Sequence, residues 1–378
     1  MKQPSYILTL PSFNNYGGVL QGYALQQVLQ KHGVENNQIG YLPRGLEEWY
    51  KRQGKREKLR ALKTLLKMIF YPQAQRLPDY MIAAFFMQFR KKHMNLFRLN
   101  SQRTQLSKLS SAYRFIVGSD QVWRCEYSRE SEHAPFFFLS FTDKEQRQRS
   151  IAYAASFGSD EWEGTPEETV ECARLINEFK AVSVREHSGI RICREVFGVN
   201  AVQMPDPTLL LEQQDYQKLI SSNIYRRRPK KGFATYLLDS SSCLNKLASD
   251  AAQQLRINHY SLTDNPQATN WSFRFPLTIP QWLRGIQECE YMLTDSFHGC
   301  VFAIIFNKPF VCLGNASRGS ARFDSLLGTF GLQNRLLINP TAKEIAECLN
   351  TPIDWERVNG IRSSEKQRAL QFLKENLA

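Results

Sequence analysis

The sequence has no Cys-x-x-Cys pair. Its eight cysteines, Cys125, Cys172, Cys193, Cys243, Cys289, Cys300, Cys312 and Cys348, are scattered, and so are its six histidines. This spacing argues against a zinc site or a redox dithiol and predicts reduced, mostly buried thiols. No apolar run approaches the ~20 residues that cross a bilayer. The opening MKQPSYILTLPSF lacks the charged start, long apolar stretch and small-residue cleavage site of a secretory signal. It reads as a first strand, and a cytoplasmic chain is the expectation. Neither Gly-x-Gly-x-x-Gly nor the Gly-Lys-Ser/Thr phosphate loop occurs, so no bound nucleotide cofactor is expected.

Acidic residues are nearly missing from one segment. Between Lys51 and Lys108 stand fifteen Lys or Arg against two acids, Glu57 and Asp79, which accounts for the whole net charge of +13. Within it, Leu59, Leu62, Leu66, Ile69 and Phe70 form an apolar helical face amid basic residues. That pattern fits an amphipathic helix lying on anionic lipid, or an ordinary surface helix packed on the core. FFMQFRKKHMNLF (Phe85–Phe97) is more apolar and is expected to pack against the body. No RNA- or DNA-binding signature accompanies the basic stretch, so nucleic acid is not an expected partner.

With 378 residues and 42% hydrophobic content, two domains are expected. Short apolar strands alternate with helical stretches, the pattern of α/β domains with mainly parallel sheets. YILTL, Phe115–Val117, SIAYAAS and the AVSVRE stretch as far as Arg185 read as strands, and VLQGYALQQVLQKHG and Thr165–Phe179 as helices, the latter with Pro166 at its first position. Alternation restarts at FATYLLD, and Asp206-Pro207 disfavours helix between the halves. The expected organisation is a first domain over 1–205 carrying a basic helical insert over about 50–108, a second over 206–345, and a C-terminal helical segment over 346–378 that packs back on the first.

Several stretches carry candidate chemistry. In YMLTDSFHG a strand gives way to a helix within about four residues, which puts Ser296, Phe297 and His298 at the carboxyl edge of a sheet. Ser296 is a helix-cap candidate, and the free N–H groups there attract phosphate or carboxylate. His298 can donate to an anion or act as an acid, and Gly299 would let a ligand approach the backbone. The plainer alternative is a capped buried helix with a hydrogen-bonded histidine. Arg185 ends a predicted strand and suits bidentate contact with an anion, unless it forms a salt bridge to Glu186 or another neighbour. In GSDQVW, Asp120, Gln121 and Trp123 combine a carboxylate, an amide and an indole, as sugar recognition does, with Asp120 a candidate general base. A tight turn is the rival. NNYGGVLQ offers Asn15, Tyr16, Gly17, Gly18 and Gln21 as a polar substrate loop, and NASRGSARF offers Arg318 and Arg322 as anion partners.

Taken together and in this order, NNYGGVLQGYALQ, GSDQVW, SVREHSG…DPTLLL and DSFHG…FNKPFV resemble the polysaccharide pyruvyl transferase family, over Phe13 to about Leu336. The resemblance implies two Rossmann-like domains facing a cleft, in the manner of glycosyltransferase-B enzymes. It implies transfer of pyruvate from phosphoenolpyruvate to a sugar as a ketal, releasing phosphate, with no metal or nicotinamide. Arg185 and His298 carry over as donor-binding residues. Some members have Arg-Leu-His where this chain has Ser296-Phe297-His298, so Arg318 or Arg322 is expected to supply the missing cation. The expected roles are His298 as acid or phosphate partner and Asp120 as base toward the acceptor. A lipid-linked oligosaccharide acceptor at the inner membrane face would suit the basic segment. The rival readings are a nucleotide-sugar glycosyltransferase of the same fold type and a non-catalytic glycan- or membrane-binding protein.

Overall fold

The structure is a computed structural model and describes residues 5–11, 14–41, 79–99, 112–127, 134–223, 225–239, 241–264, 275–314 and 321–377. Two parallel sheets dominate. The first contains β1 (Ser5–Leu8), β2 (Asn36–Tyr41), β3 (Leu96–Leu99), β4 (Arg114–Val117), β5 (Ile151–Ala155), β6 (Ala181–Val184) and β7 (Val202–Gln203), in the order β3-β2-β1-β4-β5-β6-β7. The second contains β8 (Phe233–Tyr236), β9 (His259–Ser261), β10 (Tyr291–Thr294), β11 (Phe310–Gly314) and β12 (Leu336–Ile338), in the order β12-β11-β10-β8-β9. In such sheets the ligand crevice lies where the strand order reverses, outside the carboxyl ends of the strands. The reversal falls between β1 and β4 in the first sheet and between β8 and β10 in the second.

The helices that matter for the site start where their caps dictate. Helix α1 (Tyr16–Lys31) follows β1, with Asn15 as its cap: the side chain accepts from the Gly18 N–H at 3.0 Å. Helix α2 (Asp79–His93) lies against α1, with Phe86 4.9 Å from Tyr16 and Phe89 5.7 Å from Tyr23, ring to ring. The expected packing of that apolar stretch is therefore found. Its continuation into β3 makes the end of the basic segment an edge of the sheet rather than an appendage. The Leu59–Phe70 face lies outside the described residues. Helix α4 (Pro166–Ile176) follows α3 (Lys144–Arg149) and opens with a complete capping box between Thr165 and Glu168, Pro166 standing at its first position.

Helix α5 (His187–Glu195) follows β6. A 3-10 turn (Pro207–Leu210) and α6 (Gln213–Ser221) then link the two sheets. In the second half come α7 (Ser242–Gln254), α8 (Ile279–Glu288), α9 (Phe297–Ile305), α10 (Ala321–Phe330), α11 (Ala342–Asn350) and α12 (Trp355–Leu377). All nine residues of α9 are buried, as expected for a helix apolar on every side. One apolar cluster runs through both halves, joining Val19 and Leu20 of α1 to Trp282 of α8 and Phe302 of α9. Helix α12 returns to the first half: Phe372 packs on Tyr153, and Arg368 donates to the Gln203 carbonyl at 2.7 Å. Position 345 falls inside α11, which closes against α7 through Ile345, Leu349 and Ala248. No described helix is long and apolar enough to cross a membrane.

Candidate functional site

The two reversal points face one another across a cleft of about 570 Å³. From the first half, Asn14 and Asn15 after β1, Asp120 and Gln121 after β4, and Arg185 after β6 line it. From the second half come Asp239 after β8, Asp295 to His298 after β10, and Arg322 at the start of α10.

The cleft is organised by a residue that sequence reasoning passed over as a boundary. Asp206 is buried between the sheets and accepts from Arg185 Nη1 at 2.9 Å and from the Thr208 N–H and hydroxyl at 3.0 and 2.7 Å. His298 Nε2 lies 3.4 Å from the same Asp206 oxygen, at the outer limit of hydrogen-bond reach. Burial alone would raise the Asp206 carboxyl. The neighbouring His298 imidazole, the Arg185 cation and the Thr208 hydroxyl outweigh burial and hold it well below the usual carboxylate range. One carboxylate therefore fixes an arginine from the first half and stands beside a histidine from the second, whose buried Nε2 has no hydrogen-bond partner among the described residues.

Arg185 is fixed further. It donates to the Ser119 carbonyl at 3.0 Å, and its guanidinium lies 4.4 Å from the Phe297 ring centre. The rival expectation of a salt bridge is met, with Asp206 as the partner in place of Glu186. Glu186 instead accepts from the Phe157 and Gly158 N–H groups at 2.6 and 3.2 Å and from Ser156 Oγ at 3.0 Å. Phe297 thus serves as the platform beneath Arg185, and Ser296 caps α9, its Oγ accepting from the Gly299 N–H at 3.4 Å. Gly299 does not open a path for ligand. A Cβ there would meet Thr294 Oγ1 at 2.2 Å, so it is small to admit Thr294, whose hydroxyl donates to the Tyr236 carbonyl at 2.7 Å. Asp295 braces the facing loop by accepting from the Leu238 and Asp239 N–H groups at 2.7 and 2.8 Å.

Gly17 is tied to His298. A Cβ on Gly17 would fall 2.0 Å from His298 Nδ1 and 2.6 Å from its Cβ. The imidazole is therefore confined between the start of α1 on its Nδ1 side and Asp206 on its Nε2 side. Arg322 supplies a further cation to the cleft. Burial, then the neighbouring Arg185 charge, push its guanidinium down to about 10 against the opposing pull of Glu186 and Asp120. The buried Nε atoms of Arg185 and Arg322 have no partner among the described residues. Arg318 lies outside the described residues.

Several expected acceptor contacts are corrected. Tyr16 is buried, stacked on Trp282 at 5.0 Å, with its hydroxyl donating to the Leu277 carbonyl at 2.8 Å. Trp123 is also core, stacked on Phe138 at 5.0 Å, with Nε1 donating to the Phe137 carbonyl at 3.2 Å. Neither ring is presented to a sugar. Gln21 is buried as well: it donates to Thr9 Oγ1 at 3.0 Å and accepts from the Ser119 N–H at 3.1 Å, pinning the loops after β1 and β4 together. Gly18 gives its N–H to the Asn15 cap. Asp120, Gln121 and Asn15 do reach the cleft. Asp120 Oδ1 accepts from the Gln121 N–H at 2.8 Å, and buried Gln121 Nε2 has no partner among the described residues. Tyr16→Phe is accordingly expected to lower stability by about 1–3 kcal/mol, by orphaning the Leu277 carbonyl, and to leave the KM for any acceptor unchanged. Urea unfolding and steady-state kinetics check the two halves of that statement.

Comparison with solved structures supports the fold. Arabidopsis thaliana UGT89C1 is similar at TM-score 0.52 and 8% identity, over 100% of both chains. S. aureus MnaA, in a structure with UDP, is similar at TM-score 0.51 and 13% identity, over 100% of this chain and 98% of that one. These likenesses are those of a glycosyltransferase-B-like architecture, with two Rossmann-like domains facing a cleft. No curated protein sequence matches the chain. The polysaccharide pyruvyl transferase family description matches residues 15–317, from the Asn15 cap of α1 through α9 to the segment that precedes Arg322, and the chain belongs to that family.

Proposed function

We propose that the protein moves pyruvate from phosphoenolpyruvate onto a sugar of a capsular, exopolysaccharide or cell-wall glycan precursor as a ketal, releasing phosphate. One observation carries this reading. Arg185 and Arg322, from opposite halves of the chain, meet beside His298 in one cleft, and each keeps a buried, unpartnered Nε. A small ligand bearing both phosphate and carboxylate would satisfy both guanidinium groups and relieve their mutual repulsion.

The chemistry follows from the donor. The enol methylene carbon gains a proton while a sugar hydroxyl adds to the adjacent carbon; phosphate then leaves, and a second hydroxyl of the same sugar closes the ketal. His298, confined by Gly17 and Asp206, is assigned to the proton or to the leaving phosphate. Asp120 is assigned to the attacking hydroxyl, which Gln121 and Asn15 help to orient. Arg185 holds the donor from the first half and Arg322 from the second, in the role left vacant at Ser296 and Phe297. No step calls for a metal or a nicotinamide. A lipid-linked acceptor, with segment 51–108 against an anionic membrane on its cytoplasmic face, belongs to the same proposal. Sedimentation with anionic liposomes at low salt tests that part, and failure to sediment would remove it.

A thermal-shift panel tests the donor. Phosphoenolpyruvate is expected to raise the melting temperature, while UDP- and GDP-sugars leave it unchanged. The reverse outcome would mark a nucleotide-sugar glycosyltransferase instead.

A further inference from the structure

A second cavity, of about 470 Å³, lies outside the cleft and shares no lining residue with it. Its walls come from three places: Gln88, Phe89, Lys92 and His93 on α2, then Ser222, Asn223 and Tyr225 after α6, and Thr278–Pro280 at the start of α8. One buried side chain joins it to the catalytic cleft. Tyr16 follows cleft-lining Asn15, and its hydroxyl bonds the Leu277 carbonyl next to Thr278.

The chemistry of this cavity is that of a sugar site. Tyr225 is 73% exposed, so its ring is free to take a ligand's face. Its N–H donates to Asn223 Oδ1 at 2.9 Å, and its carbonyl accepts from Gln281 Nε2 at 3.3 Å and Arg284 Nη1 at 3.2 Å. The backbone that carries the ring is thus held on both sides, so stacking on the ring has to order the side chain and little additional chain. Opposite stands His93, stacked on Phe89 at 4.7 Å. Burial, then the Lys92 charge, push its imidazole down, which leaves it a neutral donor and acceptor near pH 7. Gln88 adds an amide. Lys92 adds a cation, and none of the described residues lining the cavity is acidic.

We propose that this cavity is a second carbohydrate subsite, which holds a sugar unit bearing a carboxylate or phosphate through Tyr225 and Lys92. It rests on the reading of the protein as an enzyme that acts on a glycan, and it would grip that glycan away from the reacting hydroxyls. A cavity of this size suits one or two pyranose rings.

Saturation-transfer NMR on the full chain tests it, with a panel of methyl uronides, sugar 6-phosphates and their neutral counterparts as probes. The acidic sugars are expected to receive saturation from the wild type whether or not phosphoenolpyruvate is present. Tyr225→Ala should weaken that contact about tenfold or more, and Lys92→Ala should weaken the acidic sugars but not the neutral ones. The phosphoenolpyruvate-induced thermal shift should be the same in Tyr225→Ala as in wild type. The proposal is overturned if no probe receives saturation, if Tyr225→Ala leaves the contact unchanged, or if excess phosphoenolpyruvate displaces the sugars. Failure of the donor reading alone would show as an absent thermal shift with sugar contact intact.

Discussion

Gly17→Ala is expected to cut turnover by about 10²-fold or more while the protein stays folded. The new Cβ would sit 2.0 Å from His298 Nδ1, 2.1 Å from Cγ and 2.6 Å from Cβ. Because the histidine's own Cβ is in the way, no side-chain rotation makes room. The clash is relieved only if α9 moves away from α1, which carries the imidazole away from Asp206. Position 17 is helical, where alanine is intrinsically favoured over glycine by ~0.5–1 kcal/mol, which offsets part of the strain. Displacing a fully buried helix costs stability as well. Circular dichroism should stay near wild type and the melting temperature should fall by a few degrees, while turnover of the folded protein collapses. Wild-type turnover in Gly17→Ala would show that His298 has no part in the rate.

Asp206→Ala is expected to have the second large effect, this time on both stability and activity. It strips the counter-charge from Arg185 and His298 inside the protein, and breaking a buried pair of this kind costs about 3–5 kcal/mol. The milder Asp206→Asn keeps an acceptor for Thr208 and loses only the charge. Since the folded carboxyl sits well below its ordinary value, its contribution to stability is present in full above the unfolded value of about 4. It is lost as pH falls below that point toward the folded value. The gap in urea midpoint between wild type and Asp206→Asn should be constant from pH 7 to about pH 5 and narrow on further acidification. A gap that widens toward low pH would contradict the assignment of Asp206 as the ionised partner of Arg185 and His298.

The general architecture could be read from the chain because its local signals agree with its tertiary structure. Thr165, Pro166 and Glu168 announce a helix start and form one. Ser296 announces a cap and is one. The strand–turn–helix passages around Arg185 and His298 put both residues in the cleft. The failures have equally physical causes. Strand β2, NNQIGY, is polar in sequence yet buries Asn36 and Gln38. Asn36 Nδ2 donates to the Val34 carbonyl at 3.0 Å, so a strand of the core gives no hydrophobic signal. Tyr16 and Trp123 sit in polar, glycine-rich stretches that resemble substrate loops, but their rings turn into the core and their polar atoms find backbone carbonyls there. Asp206 looked like a break in a helix, since its proline neighbour carries that local message. Its role exists only once β6 and α9, over a hundred residues apart, converge on it. An acidic residue in an apolar crossover between two domains was the available hint.

The central claim is that Arg185, His298 and Arg322 together hold an anionic three-carbon donor. Calorimetric titration of phosphoenolpyruvate into the full chain, beside Arg322→Gln, tests it most directly. Arg322 lines the cleft at the first turn of α10, and its buried Nε has no partner among the described residues, so Gln, which keeps a polar side chain there, is the substitution chosen; circular dichroism of Arg322→Gln checks that the fold is kept. The account predicts saturable binding of one donor per chain, weakened about tenfold or more in Arg322→Gln through loss of a charge-assisted contact. Absence of binding by the wild type, or equal affinity in the two proteins, would contradict it.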